Sequence, residues 1–254
     1  MPVPRLVGLQ EGPVSLTLVR HGESIGNVAD AEARERHADR LDLDIRDADV
    51  ELSGNGRRQA DALCAWLSDA DDSHRPTTVV SSPYRRAADT ALRAVGGLGL
   101  DVVFDERLRE RDLGLFDGLT GQGIRSQYAD EAKRRSKVGK FYYQPPSGES
   151  WADVVLRVRS LLADLRHGFE EARVWLFTHQ AVIMSFRYVL EGLDEERLLD
   201  IDRTSHLGNV SLTTYTRGDG GLELKAFGDT SIVDAHDAET TREPPAAEEA
   251  EASG

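Results

Sequence analysis

Short apolar segments alternate along this chain with segments of helical periodicity, and no other feature constrains its fold as strongly. Four segments rich in Val, Leu and Phe have the composition of strands buried on both faces, at residues 16–19, 77–81, 101–104 and 174–178. Residues 53–70 and 150–169 each begin with a capping Ser and place apolar residues at helical spacing. This alternation predicts an α/β fold, a three-layer α/β/α sandwich around a mostly parallel central sheet.

The remaining segments set the expected domain boundaries. Residues 14–233 form the predicted domain, which ends in a hairpin whose strands, 210–216 and 222–227, flank a Gly-rich turn. Residues 1–13 are expected to be a loose lead-in. Residues 234–254 are rich in Ala, Glu and Pro and nearly free of large apolar side chains, so they are expected to be a disordered acidic tail.

Residues 29–49 differ from both the strands and the helices, because charges alternate there with little apolar content. Two interpretations of this segment stay open. Its cations form a solvated face, or the segment is a lid that directs one of them toward a ligand. These cations are Arg34, Arg36, His37 and Arg40.

The composition excludes several classes of partner. A net charge of −14 argues against nucleic acid or an anionic membrane as the main partner. No apolar run reaches the ~18 residues of a membrane-spanning helix, and the N-terminus lacks the pattern of a secretory signal. The lone Cys64 allows no internal disulfide and occupies an apolar helical position, so we expect a small core residue in a cytoplasmic protein.

Polar and cationic residues follow three of the predicted strands. Arg20 and His21 follow the first, Arg86 comes shortly after the second, and His179 follows the fourth, where a helix would begin at Gln180. Taken singly, an Arg-His pair is compatible with an exposed surface and a lone His with a structural role. Ligands bind beyond the carboxyl ends of parallel strands, however, and packing gains nothing by gathering cations there. The three ends together therefore indicate an anion site, with phosphate as the obvious anion.

Five sequence segments occur in the order found in the histidine phosphatase superfamily: LVRHGES followed by Asn27, SSPYRRAADTA, LRERDLG, GESWADVVLRV and THQAV. The chain resembles the phosphoglycerate-mutase-like branch of that family over about residues 16–228. The last two segments are most similar to the bisphosphatase domain of the fructose-2,6-bisphosphatases. The resemblance implies a phosphoglycerate-mutase-like fold and a phosphatase that hydrolyses a small-molecule phosphomonoester, such as a sugar phosphate, through a phosphohistidine.

The resemblance also implies a role for each site residue. His21 would attack phosphorus as the neutral imidazole, while Gly22 would let a backbone carbonyl accept the other ring N–H. Glu110 would protonate the leaving oxygen, and the alternative for it is an exposed carboxylate paired with Arg109 or Arg111. The residues that would bind the phosphoryl group or the rest of the substrate are Arg20, Asn27, Arg86, Gln180 and a protonated, catalytic His179. The neighbouring Arg85 is expected on the surface.

The main alternative reaction is that of a phosphoglycerate mutase. Mutases typically continue the acid motif as Arg-His-Tyr-Gly and have Trp before the Asn, whereas this chain has Arg-Asp-Leu-Gly at 111–114 and Gly26. Both departures weaken the mutase interpretation, and a catalytically idle binding module is a weaker alternative still. No His, Asp or Glu cluster has metal-ligand spacing, so neither a metal nor another cofactor is expected.

Two further sets of residues are open to more than one interpretation. Glu149 either lies at a helix start for electrostatic reasons or touches the site. Four residues before the Pro-Pro turn are candidates to contact the leaving group, and exposed helix-end positions explain them equally well: Lys137, Lys140, Tyr142 and Tyr143.

Overall fold

Within the residues that the structure describes, the centre of the protein is one six-stranded sheet. The computed structural model describes residues 12–205, 207–235 and 239–241. The strands are β1 (Ser15–Arg20), β2 (Thr78–Ser81), β3 (Val102–Phe104), β4 (Arg173–Thr178), β5 (Leu212–Gly218) and β6 (Gly221–Asp229). They lie in the order β3-β2-β4-β1-β5-β6, and β1 to β4 are parallel to one another. β5 pairs antiparallel with β1, and β6 pairs antiparallel with β5. The predicted mostly parallel sheet and its closing hairpin are confirmed.

Helices cover both faces of this sheet. They are α1 (Ile25–Glu35), α2 (Gly54–Asp69), α3 (Arg85–Val95), α4 (Gly121–Gln127), α5 (Ala129–Val138), α6 (Trp151–Asp164), α7 (Gln180–Glu191), α8 (Glu195–Thr204) and α9 (Ser231–Asp234). In the described part of the chain, none of them is long and apolar enough to cross a membrane.

Alternating side chains of the strands build two apolar cores. Leu16 and Leu18 of β1 belong to the cluster that includes α6 and α7, whereas Val19 belongs to the cluster that includes α2 and α3. In β4, Leu176 lies in the first cluster and Phe177 in the second. Successive side chains of a strand point to opposite faces, so the apolar run of each strand is buried on both sides. The predicted three-layer sandwich is confirmed.

Capping groups explain where the two predicted helices begin. Ser53 Oγ accepts the N–H of Gly56 at 2.9 Å at the start of α2. Ser150 Oγ accepts the N–H of Asp153 at 3.1 Å at the start of α6. This second helix ends at Asp164, earlier than the predicted end at 169. The turn that follows contains Gly168 at a φ of 84°, a left-handed conformation that a right-handed helix does not adopt.

The described part of the predicted tail contacts the body of the domain. The carbonyl oxygen of Glu239 accepts hydrogen bonds from Asn55 Nδ2 at 2.9 Å and from Gln59 Nε2 at 2.7 Å. Thr241 Oγ1 donates to Asn209 Oδ1 at 3.0 Å. Residues 1–11 of the expected lead-in and most of 234–254 lie outside the described residues, so the expected domain boundaries stay predictions.

Candidate active site

The three polar strand ends meet at one edge of the sheet. β4 lies between β1 and β2, so that Arg20 is opposite Thr178 and Ser81 is opposite Phe177. The residues that follow these three strands therefore lie side by side at the carboxyl edge of the sheet. The ring centroids of His21 and His179 are 5.1 Å apart. The helix that follows β2 adds Arg86 from its first turn. The structure thus brings together the two histidines and two arginines named from the sequence.

His21 is buried, and a backbone contact fixes its tautomer. Its Nδ1 lies 2.7 Å from the carbonyl oxygen of Gly22. A carbonyl oxygen can only accept, so Nδ1 carries the proton and Nε2 holds the lone pair. Burial, together with the positive charges of Arg86 and Arg20, lowers the pKa of His21 well below its ordinary value. The ring is therefore neutral at pH 7, with Nε2 available as a nucleophile.

Close packing is the reason for glycine at position 22. A Cβ atom on Gly22 would lie 2.7 Å from the carbonyl oxygen of Gly56, so no larger residue fits without a backbone shift. The N–H of Gly22 donates to Thr90 Oγ1 at 3.0 Å, and that hydroxyl donates to the carbonyl of Arg86 at 2.6 Å. These contacts tie the loop that carries His21 to the helix that carries Arg86.

Two arginines flank the nucleophile. Arg20 is 1% exposed, and its Nη1 donates to the carbonyl of Leu207. Arg86 makes a two-pronged contact with Asp47, with 2.9 Å between Nη1 and Oδ1 and 3.2 Å between Nη2 and Oδ2. Phosphoryl oxygens bind a guanidinium group through the same planar fork. Arg85, by contrast, is half-exposed, as expected from the sequence.

Asp47 brings the 29–49 segment into contact with the site. It lies in a short 3₁₀ helix, Asp47–Asp49, and its carboxylate faces Arg86. Arg34 of the same segment pairs with Asp30 at 2.7 Å on α1, which favours a solvated face for that cation. The segment therefore presents an anion to the site. Nothing in the sequence singled out Asp47, since several aspartates lie close to it in the chain.

His179 is buried against the ends of β2 and α3. Its Nε2 lies 2.9 Å from Ser82 Oγ, and its ring centroid is 5.4 Å from that of Tyr84. Burial, together with the charge of Arg86 and the neighbouring His21, lowers the pKa of His179 well below its ordinary value. These surroundings favour the neutral ring, and the protonated state expected on binding a phosphoryl group stays a prediction. The negative charge of a bound phosphoryl group would favour its protonation.

Asn27 and Gln180 both make hydrogen bonds inside the protein. Asn27 Oδ1 accepts from the N–H of Ser24 at 3.0 Å, as part of the capping box of α1. Gln180 Nε2 donates to Asp202 Oδ1 at 3.3 Å. These contacts orient both side-chain amides, and the role of each in binding substrate stays a prediction.

Glu110 lies on the loop between β3 and α4, with its carboxyl group desolvated by the surrounding protein. This burial raises its pKa, and the charge of Asp47 acts in the same direction, whereas Arg86 opposes it. Its Oε1 accepts from the N–H of Arg111 at 2.8 Å. The guanidinium group of Arg109 pairs instead with Glu149 at 2.5 Å. A half-buried carboxyl with a raised pKa is suited to donate a proton.

The sequence model of the histidine phosphatase superfamily (branch 1) matches residues 16–230 of this chain, and these residues contain every element of the site. The chain belongs to the histidine phosphatase superfamily. The phosphoglycerate-mutase-like fold and the family predicted from the five segments are thus confirmed. The finer resemblance of the second half to the fructose-2,6-bisphosphatases stays a prediction.

Several known proteins are similar to this chain. A bifunctional protein of Mycobacterium tuberculosis is 32% identical over 195 residues, which cover 74% of this chain and 48% of that protein. The chain thus spans about half the length of that relative. A glucosyl-3-phosphoglycerate phosphatase of Mycolicibacterium vanbaalenii is 29% identical over 81% of this chain and 86% of its own length. The solved structure of a mycobacterial glucosyl-3-phosphoglycerate phosphatase with VO3 has a TM-score of 0.68 at 29% identity, covering 85% of this chain and 100% of its own.

Asn209 is a second residue of this site, besides Asp47, that was not found from the sequence. Asn209 precedes β5, and its Nδ2 donates to the carbonyl oxygen of His21 at 2.9 Å. The next residue, Val210, donates its N–H to the carbonyl of Arg20 at 3.1 Å. These bonds hold the backbone of the nucleophile from the far end of the chain. Asn209 lies at the edge of an unremarkable strand pattern, so no local signal marked it.

The four candidates for leaving-group contact differ in their surroundings. Lys140 Nζ lies 3.1 Å from Asp202 Oδ2, and this carboxylate also accepts from Gln180, which follows His179. Tyr143 is buried, and its hydroxyl donates to a glutamate on α5. Lys137 and Tyr142 are exposed. Within the described ranges, no group of three His, Cys, Asp or Glu residues is placed to hold a metal ion.

Proposed function

We propose that this histidine phosphatase superfamily member hydrolyses a small phosphomonoester through a phosphohistidine at His21. The observation that carries the proposal is the state of that residue. It is a buried neutral imidazole whose Nδ1 proton is held by Gly22, and it lies beside the charges of Arg20 and Arg86. A neutral nucleophile in a cationic pocket attacks an anionic phosphoryl group without first losing a proton.

In the first step, the phosphoryl oxygens bind Arg20, Arg86 and His179. Nε2 of His21 forms a bond to phosphorus as the bond between phosphorus and the leaving oxygen breaks. Glu110 gives its proton to that oxygen, so the alcohol leaves neutral. Burial raises the pKa of Glu110 and so favours the protonated form that this step consumes.

In the second step, water attacks the phosphohistidine. Glu110 is now a carboxylate, and it accepts a proton from the water as the new bond to phosphorus forms. The bond between phosphorus and Nε2 breaks, and inorganic phosphate leaves. His21 returns to the neutral form with its proton on Nδ1, so the cycle needs only substrate and water.

We further propose that the substrate carries a second negative group near its phosphate ester. Three cationic side chains, those of Arg111, Arg135 and Lys140, interact with one another beside Glu110 and Gln180. Burial lowers the pKa of all three, and the charge of Arg111 lowers the pKa of the other two further, while Asp202 raises the pKa of Arg111 and Lys140 and so offsets part of this repulsion. An anion placed among them would relieve this repulsion. A phosphoglycerate ester carries a carboxylate close to its phosphate ester, and two of the relatives described above are named for one.

Phosphate release and covalent labelling test the reaction. The wild type should release inorganic phosphate without a bisphosphate primer, which a mutase requires, and it should carry an acid-labile, base-stable phosphoryl label. His21→Ala should lose both turnover and label while its melting temperature stays close to that of the wild type. Label that persists in this variant would remove His21 from the role of nucleophile.

The same assay tests the substrate class. Lys140→Met should raise KM for 3-phosphoglycerate by about 10–100-fold, the value of one or two charge-assisted hydrogen bonds, and should leave p-nitrophenyl phosphate nearly unaffected. The matched control is Lys137→Met, which changes an exposed lysine nearby. Equal effects of Lys140→Met on both substrates would contradict the second-anion proposal while leaving the phosphatase reaction intact.

A further inference from the structure

A buried ion pair lies behind the loop that carries Glu110. Glu149 precedes α6, and Arg157 lies inside that helix, with 3.1 Å between Arg157 Nε and Glu149 Oε1. The side chain of Arg157 is only 10% exposed, and that of Glu149 is 14% exposed. Taking such a pair out of water costs more free energy than burying apolar residues of similar size, so packing alone does not account for it.

Both members of this pair bind the backbone of the Glu110 loop. Arg157 Nη1 donates to the carbonyl of Arg107 at 2.6 Å, and its Nη2 donates to the carbonyl of Glu110 itself at 3.2 Å. Glu149 Oε2 accepts the N–H of Asp112 at 3.1 Å, and the N–H of Glu149 donates to the carbonyl of Asp112 at 2.8 Å. The loop is therefore held on both sides of the acid by charge-assisted hydrogen bonds.

We propose that Glu149 and Arg157 are positioning residues that hold the carboxyl of Glu110 at the leaving-group oxygen. The inference rests on the proposed function, since it needs Glu110 to be the proton donor. Neither residue touches the substrate in this account. The guanidinium fork fixes the carbonyls of residues 107 and 110 at once, which a lysine or an apolar residue does not do. Displacement of a reacting group by about 1 Å costs about 10²-fold in rate.

The test compares two leaving groups. The leaving group of β-glycerophosphate is a poor alkoxide that needs a proton. The leaving group of p-nitrophenyl phosphate is a stable phenolate that does not. For Arg157→Met and Glu149→Gln we expect kcat/KM on β-glycerophosphate to fall by about 10²-fold, with only a few-fold loss on p-nitrophenyl phosphate. Inhibition by inorganic phosphate should stay unchanged, because Arg20 and Arg86 are untouched. The matched control is Arg159→Met, an exposed position on the same helix, which should change none of these values.

A second measurement separates positioning from general structural support. In a Glu110→Gln background, Arg157→Met should add little further loss on β-glycerophosphate, because the two changes remove the same proton transfer. Equal losses on both substrates, or losses that add fully in the double variant, would overturn the inference while leaving the phosphatase reaction in place. If Arg157→Met does not fold, Glu149→Gln decides by the same criteria. A wild type that released phosphate from neither substrate would overturn the proposed function and this inference with it.

Discussion

Burial shifts the pKa values of His21 and Glu110 in opposite directions, and this opposition sets the chemistry of the site. The imidazole is kept neutral because its charged form is disfavoured both by desolvation and by two guanidinium groups. Desolvation likewise disfavours the charged form of the carboxyl and raises the pKa of Glu110, although the backbone N–H of Arg111 and the charges of Arg86 and Arg157 oppose this shift. Two titratable groups whose neutral forms are both favoured by burial can take the roles of nucleophile and acid in one pocket.

We expect a bell-shaped pH profile of kcat/KM for an alkyl phosphate. Activity falls toward acid as His21 gains a proton, and its lowered pKa places that limb below pH 6.5. Activity falls toward alkali as Glu110 loses its proton, and its raised pKa places that limb above pH 4.5. Glu110→Gln should abolish the alkaline limb. Measuring both proteins on one substrate cancels the ionisation of the substrate, and an unchanged alkaline limb would contradict the assignment.

At the scale of the elements, the start of α2 packs closely on the nucleophile loop. Ser53 Oγ donates to Glu23 Oε1 at 2.5 Å, and Gln59 Oε1 accepts the N–H of Glu23 at 2.8 Å. A Cβ atom on Gly56 would lie 1.9 Å from the carbonyl oxygen of Glu23. The helix therefore approaches the loop backbone so closely that only glycine fits at this position.

Gly56→Ala should destabilise the protein by about 1–3 kcal/mol, the usual cost of overpacking a rigid contact. Turnover should also fall, because the displaced backbone carries His21. Gly54→Ala is the matched control in the same helical turn, where the nearest atom to an added Cβ is Arg58 Nη1 at 4.0 Å. Urea denaturation measures both variants. Equal urea midpoints for Gly56→Ala and Gly54→Ala would contradict this prediction. They would show that the loop accommodates the added methyl group without loss of stability.

At the scale of the whole molecule, the site is closed by contacts between distant parts of the chain. Arg86 and Asp47 are 39 residues apart, and Asn209 and His21 are 188 residues apart. Residues 239–241 add a third connection, since Thr241 reaches Asn209 and Glu239 reaches Gln59. The nucleophile is thus supported from the end of the domain as well as from the sheet beneath it.

Truncation tests the connection made by residues 239–241. A chain that ends at 241 should keep the hydrogen bonds of Glu239 and Thr241, whereas one that ends at 235 loses them. At about 0.5–1.5 kcal/mol for each of the three hydrogen bonds described above, the shorter chain should be less stable by about 1.5–4.5 kcal/mol. This corresponds to a melting temperature lower by roughly 3–18 °C for a domain of this size. Equal melting temperatures for the two chains would show that these contacts contribute nothing.

The amino-acid sequence by itself determined the sheet, the helices on either side and the position of the phosphoryl-binding groups. Strand and helix periodicity are local properties, and the residue that follows a parallel strand must lie at the ligand-binding edge of the sheet. His21 and His179 were predictable for this reason. The predicted end of the helix at 169 was wrong, because apolar spacing continued past the turn at Gly168.

Only the tertiary structure decided which side chains surround and support those groups. Asp47 and Asn209 lie in segments whose local patterns are those of a charged loop and a strand edge. Their roles depend on which distant residues they contact in the folded chain. Many segments of the same composition would make no such contact. The pair of Glu149 and Arg157 depends likewise on a helix packing behind the acid loop. The pKa shifts follow the same rule, since the pKa of His179 is lowered by burial and by charges that only folding brings together.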